Sequence, residues 1–90
     1  MPADTQNKKD VKVFGADWCP MTRAARKHLD AIGVEYLYVD IEKDSQASEW
    51  VKQQNNGKER KPTLDIRGQV LSEPDNEELD SALRAGGILS

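Results

Sequence analysis

The sequence predicts an α/β domain whose elements run βαβαββα, built on a mixed four-stranded sheet flanked by helices. Three observations carry this. Short runs rich in β-branched and aromatic residues alternate with longer stretches whose apolar residues recur at helical spacing. Turn signals containing glycine and asparagine fall between them. The first strand, helix and strand follow at the length of a right-handed parallel crossover, whereas the last two strands flank a two-residue hairpin signal.

The first strand is VKVF, Val11 to Phe14, and it stops at Gly15. Pro20 then stands where a first helical turn tolerates proline, because that N–H would be unpaired in any case. Along PMTRAARKHLDAI the apolar residues Met21, Ala24, Ala25, Leu29 and Ile32 define one buried face, and Gly33 is a C-terminal stop. VEYLYVDI, Val34 to Ile41, is β-branched and aromatic and makes the second strand. Asp44 caps a second helix with Ala47, Trp50, Val51 and Gln54 at helical spacing, and Asn55-Asn56-Gly57 ends it. PTLDI and QVLS are short strands on either side of Arg67-Gly68. The last helix starts near Asp75, where Asp75 and Glu78 suit a capping box, buries Leu79, Ala82 and Leu83, and stops at Gly86-Gly87.

Length and composition narrow the function classes. The chain has 90 residues, 37% hydrophobic and 32% charged, which fits one soluble domain over residues 11–90. Such a domain buries roughly 60 to 65% of its unfolded surface. The opening MPADTQNKKD has no apolar stretch after its charges, so residues 1–10 read as a polar, flexible leader rather than a secretory signal. No apolar run approaches the ~18 residues of a membrane span. A formal net charge of −3, without a basic patch interleaved with aromatics, argues against nucleic acid as partner. One cysteine excludes an internal disulfide and any Cys-rich metal site built by one chain alone, and points to a reducing cytoplasm.

That cysteine stands in the stretch DWCPMT. A Cys-X-X-Cys pair at a strand-to-helix turn is a disulfide-exchange motif, and here Thr22 occupies the second position. Parallel β-α units place a helix N-terminus, with unpaired N–H groups and about half a positive charge, at the carboxyl edge of the sheet. Cys19 is expected there, with its pKa lowered from ~8.5 toward the range of about 3.5 to 7.5. Thr22 is placed to donate from its hydroxyl or its backbone N–H to the sulfur, although as a first-turn residue it also suits bonding to its own backbone. It cannot resolve a disulfide. Asp17 opposes the thiolate, and no lysine shortly precedes Cys19 to offset it. His28 lies nine residues along the helix, about 13 Å from Cys19 at ~1.5 Å per residue, too far for a cysteine–histidine dyad.

The element order, the WCPMT turn and the proline opening the third strand in ERKPTLDI together resemble the glutaredoxin family of the thioredoxin fold, in particular its small mycoredoxin-type members, over roughly Val11 to Arg84. The resemblance implies that Cys19 is the nucleophile, Pro20 the motif proline, Met21 the residue lining the thiol groove, and Thr22 the occupant of the resolving position. It also implies a cis peptide bond at Lys61-Pro62 facing Cys19, with the backbone there pairing with the peptide part of a thiol substrate. Family members commonly have Thr-Val-Pro where this chain has Arg60-Lys61-Pro62, and a lysine where it has Ala16. The family's small-residue and aspartate pair at the last helix is matched loosely by Pro74-Asp75-Asn76.

The expected function is that of a monothiol glutaredoxin-like thiol–disulfide oxidoreductase. Cys19, Pro20 and Thr22 form the catalytic set, and Trp18, Met21, Arg60, Lys61, Pro62 and Asp75 the thiol-binding set. The co-substrate is a low-molecular-weight thiol, glutathione or an equivalent. No cofactor or metal is expected to be bound, the chain is expected to be a monomer, and its partners are thiolated or disulfide-containing proteins. The basic KERK run, Lys58 to Lys61, suits a solvated loop or a landing site for carboxylates. Two other classes remain: a non-catalytic protein-binding module, and a dimeric iron–sulfur cluster carrier. Proline after the cysteine, Met21 in place of phenylalanine and Ala16 in place of lysine weigh against the carrier.

Overall fold

The computed structural model describes residues 10–89. The leader expected over residues 1–10 falls, except for Asp10, outside them. The elements are β1 (Val11–Gly15), α1 (Pro20–Ala31), β2 (Leu37–Asp40), α2 (Ser45–Gln54), β3 (Thr63–Ile66), β4 (Gln69–Ser72) and α3 (Asn76–Ala85). This is the βαβαββα order. The sheet runs β2-β1-β3-β4, with β1 parallel to β2 and antiparallel to β3, and β3 antiparallel to β4.

Alternation along the strands sorts the two faces. Val11 and Val13 of β1 and Leu64 and Ile66 of β3 form the main core with Ala25 and Leu29 of α1 and Leu79, Ala82 and Leu83 of α3. On the opposite face Phe14 meets Trp50 of α2, with ring centroids 4.7 Å apart. The β3–β4 hairpin closes through Arg67 (φ 52°) and Gly68 (φ 90°), the left-handed pair that a tight right-twisted hairpin requires. The expected capping box is present: the Asp75 carboxylate accepts from the Glu78 N–H, and the Glu78 carboxylate from the Asp75 N–H.

Three expectations of detail differ from the structure. β2 begins at Leu37, not Val34, because Val34 completes the end of α1. Gly33 takes φ 76°, its N–H bonds the Asp30 carbonyl, and the Val34 N–H reaches back to the Leu29 carbonyl at 3.0 Å. Val34 is buried beside Leu29, which makes it part of the helix stop rather than of the strand.

On α1 the buried stripe is Thr22, Ala25 and Leu29, with Ile32 half-buried, while Met21 and Ala24 face outward. On α2 it is Ser48 and Val51, followed by Asn55, with Gln54 exposed. Both shifts have one cause. A polar side chain occupies a core position because it has internal partners, so a search for apolar spacing alone selects the neighbouring stripe.

Candidate active site

β1 delivers the chain to the carboxyl edge of the sheet at Gly15, and a turn closed by the Cys19 N–H on the Ala16 carbonyl at 3.1 Å leads into α1. Cys19 is the N-cap residue, with φ −75° and ψ 121°, and Pro20 opens the helix. The Cys19 side chain makes no cap hydrogen bond. Cys19 is 8% exposed and lies buried at the helix end.

Burial pushes the Cys19 thiol up. The Thr22 hydroxyl, the Thr22 and Met21 backbone N–H groups and the Lys61 charge pull it down, and the balance is a pKa below the ordinary thiol value. The Thr22 and Met21 groups belong to the first turn of α1, whose N–H groups have no partner inside the helix. Thr22 Oγ1 also accepts from the Ala16 N–H at 3.4 Å, a bond to the turn before Cys19 and not to its own backbone. Thr22 is fully buried, and Gly15 lies against it. A Cβ at Gly15 would fall 2.5 Å from Thr22 Oγ1.

Asp17, expected to oppose the thiolate, is engaged elsewhere. Its carboxylate accepts from the Tyr38 hydroxyl at 2.7 Å and lies 3.9 Å from the Arg26 guanidinium, which stacks 3.8 Å over the Tyr38 ring. Burial, and then the bond to Asp17, push the Tyr38 phenol up, so it remains a donor. This clamp ties the turn before Cys19 to β2. The outward-facing Asp17 is also screened by water.

Opposite the helix end, the Lys61-Pro62 peptide bond is cis, and the Lys61 carbonyl lies 3.8 Å from Cys19 Sγ and accepts from the thiol. A buried polar network holds this segment. The Asn55 amide donates to the Val51 carbonyl at 2.7 Å and to Thr63 Oγ1 at 3.2 Å, Thr63 Oγ1 donates to the Arg60 carbonyl at 2.9 Å, and Ser72 Oγ donates to Asn55 Oδ1. Ser48 donates to Glu59 at 2.6 Å, and Glu59 pairs with Lys61 at 3.1 Å. Arg60 pairs with Glu73 at 3.4 Å. Both cations are thus compensated, and the KERK run is less basic in space than in sequence.

Trp18 and Met21 are 59% and 46% exposed and flank the nucleophile. The Trp18 indole donates to Glu42 at 2.6 Å, and the Lys61 ammonium sits 5.4 Å from its ring centre. On the other flank a groove of about 500 Å³ is lined by Met21, Ala24, Ala25, Pro74, Asp75, Asn76 and Glu77. Asp75 contributes there as the cap of α3. His28 lies away from the site, half-buried, 2.8 Å from Asp80. Among the described residues no three His, Cys, Asp or Glu side chains are grouped to hold a metal ion, and no helix is long and apolar enough to cross a membrane.

The structure therefore brings Cys19, Pro20, Thr22, Trp18, Met21, Lys61 and Pro62 together, with Asp75 in the adjoining groove, whereas the Arg60 side chain is exposed and paired with Glu73. Gly15, Glu42, Glu59, Arg26 and Tyr38 are the supporting residues that sequence reasoning did not single out, and Asp17 is one to which it gave a different role.

Residues 11–71 match the glutaredoxin family model. The chain belongs to the glutaredoxin family. It is 42% identical to Mycoredoxin 1 of Corynebacterium glutamicum, in two strains, over 55 residues that span 61% of this chain and 67% of that protein. Among solved structures it resembles a mutant of a thioredoxin-like protein, with 25% identity and a TM-score of 0.76 over 84% of this chain and 96% of the other. It also resembles a glutaredoxin from Archaeoglobus fulgidus, with 18% identity and a TM-score of 0.71 over 88% and 90%. As a glutaredoxin it is a thiol–disulfide oxidoreductase in kind. The family uses a low-molecular-weight thiol as co-substrate and acts on thiols and protein disulfides.

Thr22→Val keeps the shape of the side chain and removes the hydroxyl. A hydrogen bond to a charged group is worth about 1.5 to 3 kcal/mol, so the Cys19 pKa is expected to rise. The pH dependence of Cys19 alkylation measures this; an unmoved midpoint would exclude the hydroxyl as a thiolate donor.

Proposed function

We propose that this glutaredoxin works by a monothiol cycle and reduces mixed disulfides between proteins and a small thiol. The Cys19 thiolate attacks the small-thiol sulfur of the mixed disulfide. The S–S bond breaks, the client sulfur leaves as a thiolate and takes a proton from water, and Cys19 is left joined to the small thiol. A second small-thiol anion attacks that adduct, forms the symmetric small disulfide, and returns Cys19 as the thiolate. The carrying observation is the placement of the only cysteine: it caps α1 with its thiol against the cis-proline backbone, next to Met21, which lines an open groove, and the chain has no second thiol. Pro20 sets the helix start, the backbone at Lys61 and Pro62 takes the peptide part of the substrate, and Trp18, Met21, Arg60 and Asp75 border the small thiol. The protein acts as a monomer in a reducing cytoplasm, as its lone free thiol suggests.

The charge of the groove narrows the small thiol to one without carboxylates. The N-terminus of α3 would attract an anion, but Asp75, Glu77 and Glu78 already supply negative charge there, and Asp75 takes the Glu78 N–H. Arg60 and Lys61 are paired with Glu73 and Glu59. Glutathione, with a carboxylate at each end, meets like charge; a neutral sugar thiol such as mycothiol does not. The test compares a peptide joined to either thiol, each with its own thiol as reductant. Mycothiol is expected to give a kcat/KM about tenfold higher, the equivalent of about 1.4 kcal/mol. Equal values, or a preference for glutathione, would contradict the charge argument.

A further inference from the structure

The segment before Cys19, Gly15-Ala16-Asp17-Trp18, contains no cation, and Arg26 on α1 is committed to Asp17, Tyr36 and Tyr38. A nucleophilic sulfur anion still benefits from a nearby positive charge, both before attack and while charge spreads over the exchanging sulfurs. Resting on Cys19 as the nucleophile, we propose that Lys61 is a positioning residue of the exchange reaction, whose ammonium, fixed between the Trp18 ring and Glu59, supplies the cation for the attacking and leaving sulfur anions.

Three contacts fix this lysine, and a fourth fixes its partner Glu59. Its own carbonyl touches Cys19 Sγ at 3.8 Å. Its ammonium lies 5.4 Å from the ring centre of Trp18, the residue preceding the nucleophile. Glu59 holds it at 3.1 Å, and Ser48 of α2 holds Glu59 at 2.6 Å. The Lys61 side chain is only 16% exposed, so its field at the sulfur is screened far less than that of a lysine in open water. Its charge is among the influences that lower the Cys19 pKa.

The acids facing the site are occupied: Asp17 by Tyr38 and Arg26, Glu42 by the Trp18 indole, and Asp75 by the α3 cap. Glu59 alone sits against Lys61 and moderates it. The Ser48 hydroxyl and Lys61 hold Glu59 below the usual carboxylate range, so it remains an anion near neutral pH. The pair therefore acts as a tuner, in which the lysine favours the thiolate and the glutamate limits how far.

The experiment is the pH profile of Cys19 alkylation by iodoacetamide in the full chain, with near-ultraviolet circular dichroism to verify folding. Lys61→Met is expected to move the midpoint up and slow alkylation at neutral pH about fivefold, as for the loss of one partly screened charge. Lys61→Arg is expected to restore the wild-type profile, and Glu59→Gln to move the midpoint down. A wild-type midpoint retained in folded Lys61→Met overturns the proposal. So does a shift of Glu59→Gln in the same direction as Lys61→Met, which would mark both as merely structural. A wild-type Cys19 that reacts no faster than an unstructured thiol fails at the earlier step and removes the nucleophile itself.

Discussion

Cys19→Ser is expected to abolish small-thiol-dependent reduction of a mixed disulfide while leaving the protein as stable as before, or slightly more so. The loss is complete because this is the only sulfur nucleophile in the chain, and a serine hydroxyl neither ionises near neutral pH nor exchanges with a disulfide. Stability does not fall because residue 19 is the N-cap of α1 and the cysteine side chain makes no cap bond. Serine is among the favoured N-cap residues, where such a side chain is worth about 0.5 to 2 kcal/mol over alanine. Turnover of a thiolated peptide together with a denaturation midpoint measures both halves. Activity retained in the variant would remove Cys19 from the mechanism, and inactivity accompanied by unfolding would show that its role is structural.

Gly15→Ala is expected to cost about 1 to 3 kcal/mol of stability, as overpacking of a tight interior does, and to slow Cys19 as well. The new Cβ would stand 2.5, 2.6 and 3.1 Å from Oγ1, Cγ2 and Cβ of Thr22. Thr22 has no free space to move into: it is fully buried, its β-branched side chain has few rotamers in a helix, and Oγ1 is engaged by the Ala16 N–H. Gly15 cannot retreat easily either, because it pairs with Asp40 across the parallel ladder and its carbonyl receives the Ile41 N–H at 2.9 Å. The strain therefore falls on the hydroxyl that serves the thiolate. Combining Gly15→Ala with Thr22→Ala is expected to recover much of the stability but none of the lost reactivity. Denaturation and alkylation rates on the two single variants and the double variant test this; additive losses in stability would contradict the steric coupling.

The pairing of Gly15 with Thr22 also marks where the sequence stops being legible. Strand and helix order, the hairpin at Arg67-Gly68 and the cap at Asp75 are local patterns, readable within a few residues. The core faces of α1 and α2 are not, because Thr22, Ser48 and Asn55 fill interior positions by virtue of partners that periodicity does not reveal. Cys19 and Pro20 are legible as chemistry for the same local reason: strand, turn and helix start are contiguous.

The other half of the site is distant in sequence. The Lys61 carbonyl is 42 residues from Cys19 and Glu42 is 24 from Trp18. The position facing the cysteine therefore follows from the family resemblance and not from spacing. Charge reads least faithfully from the sequence. Lys58 to Lys61 reads as a basic run, but folding sets Glu59 against Lys61 and Glu73 against Arg60. Asp17 reads as an opponent of the thiolate until Tyr38, 21 residues on, takes its carboxylate.

The central claim is that one sulfur completes the cycle by capturing the small thiol and not the client. Intact-mass spectrometry after mixing the reduced protein with one equivalent of a thiolated client, without free small thiol, tests it directly. The expected result is protein carrying one small thiol on Cys19 together with free, reduced client. A covalent adduct between Cys19 and the client, or unmodified protein beside unchanged client, would contradict the monothiol mechanism.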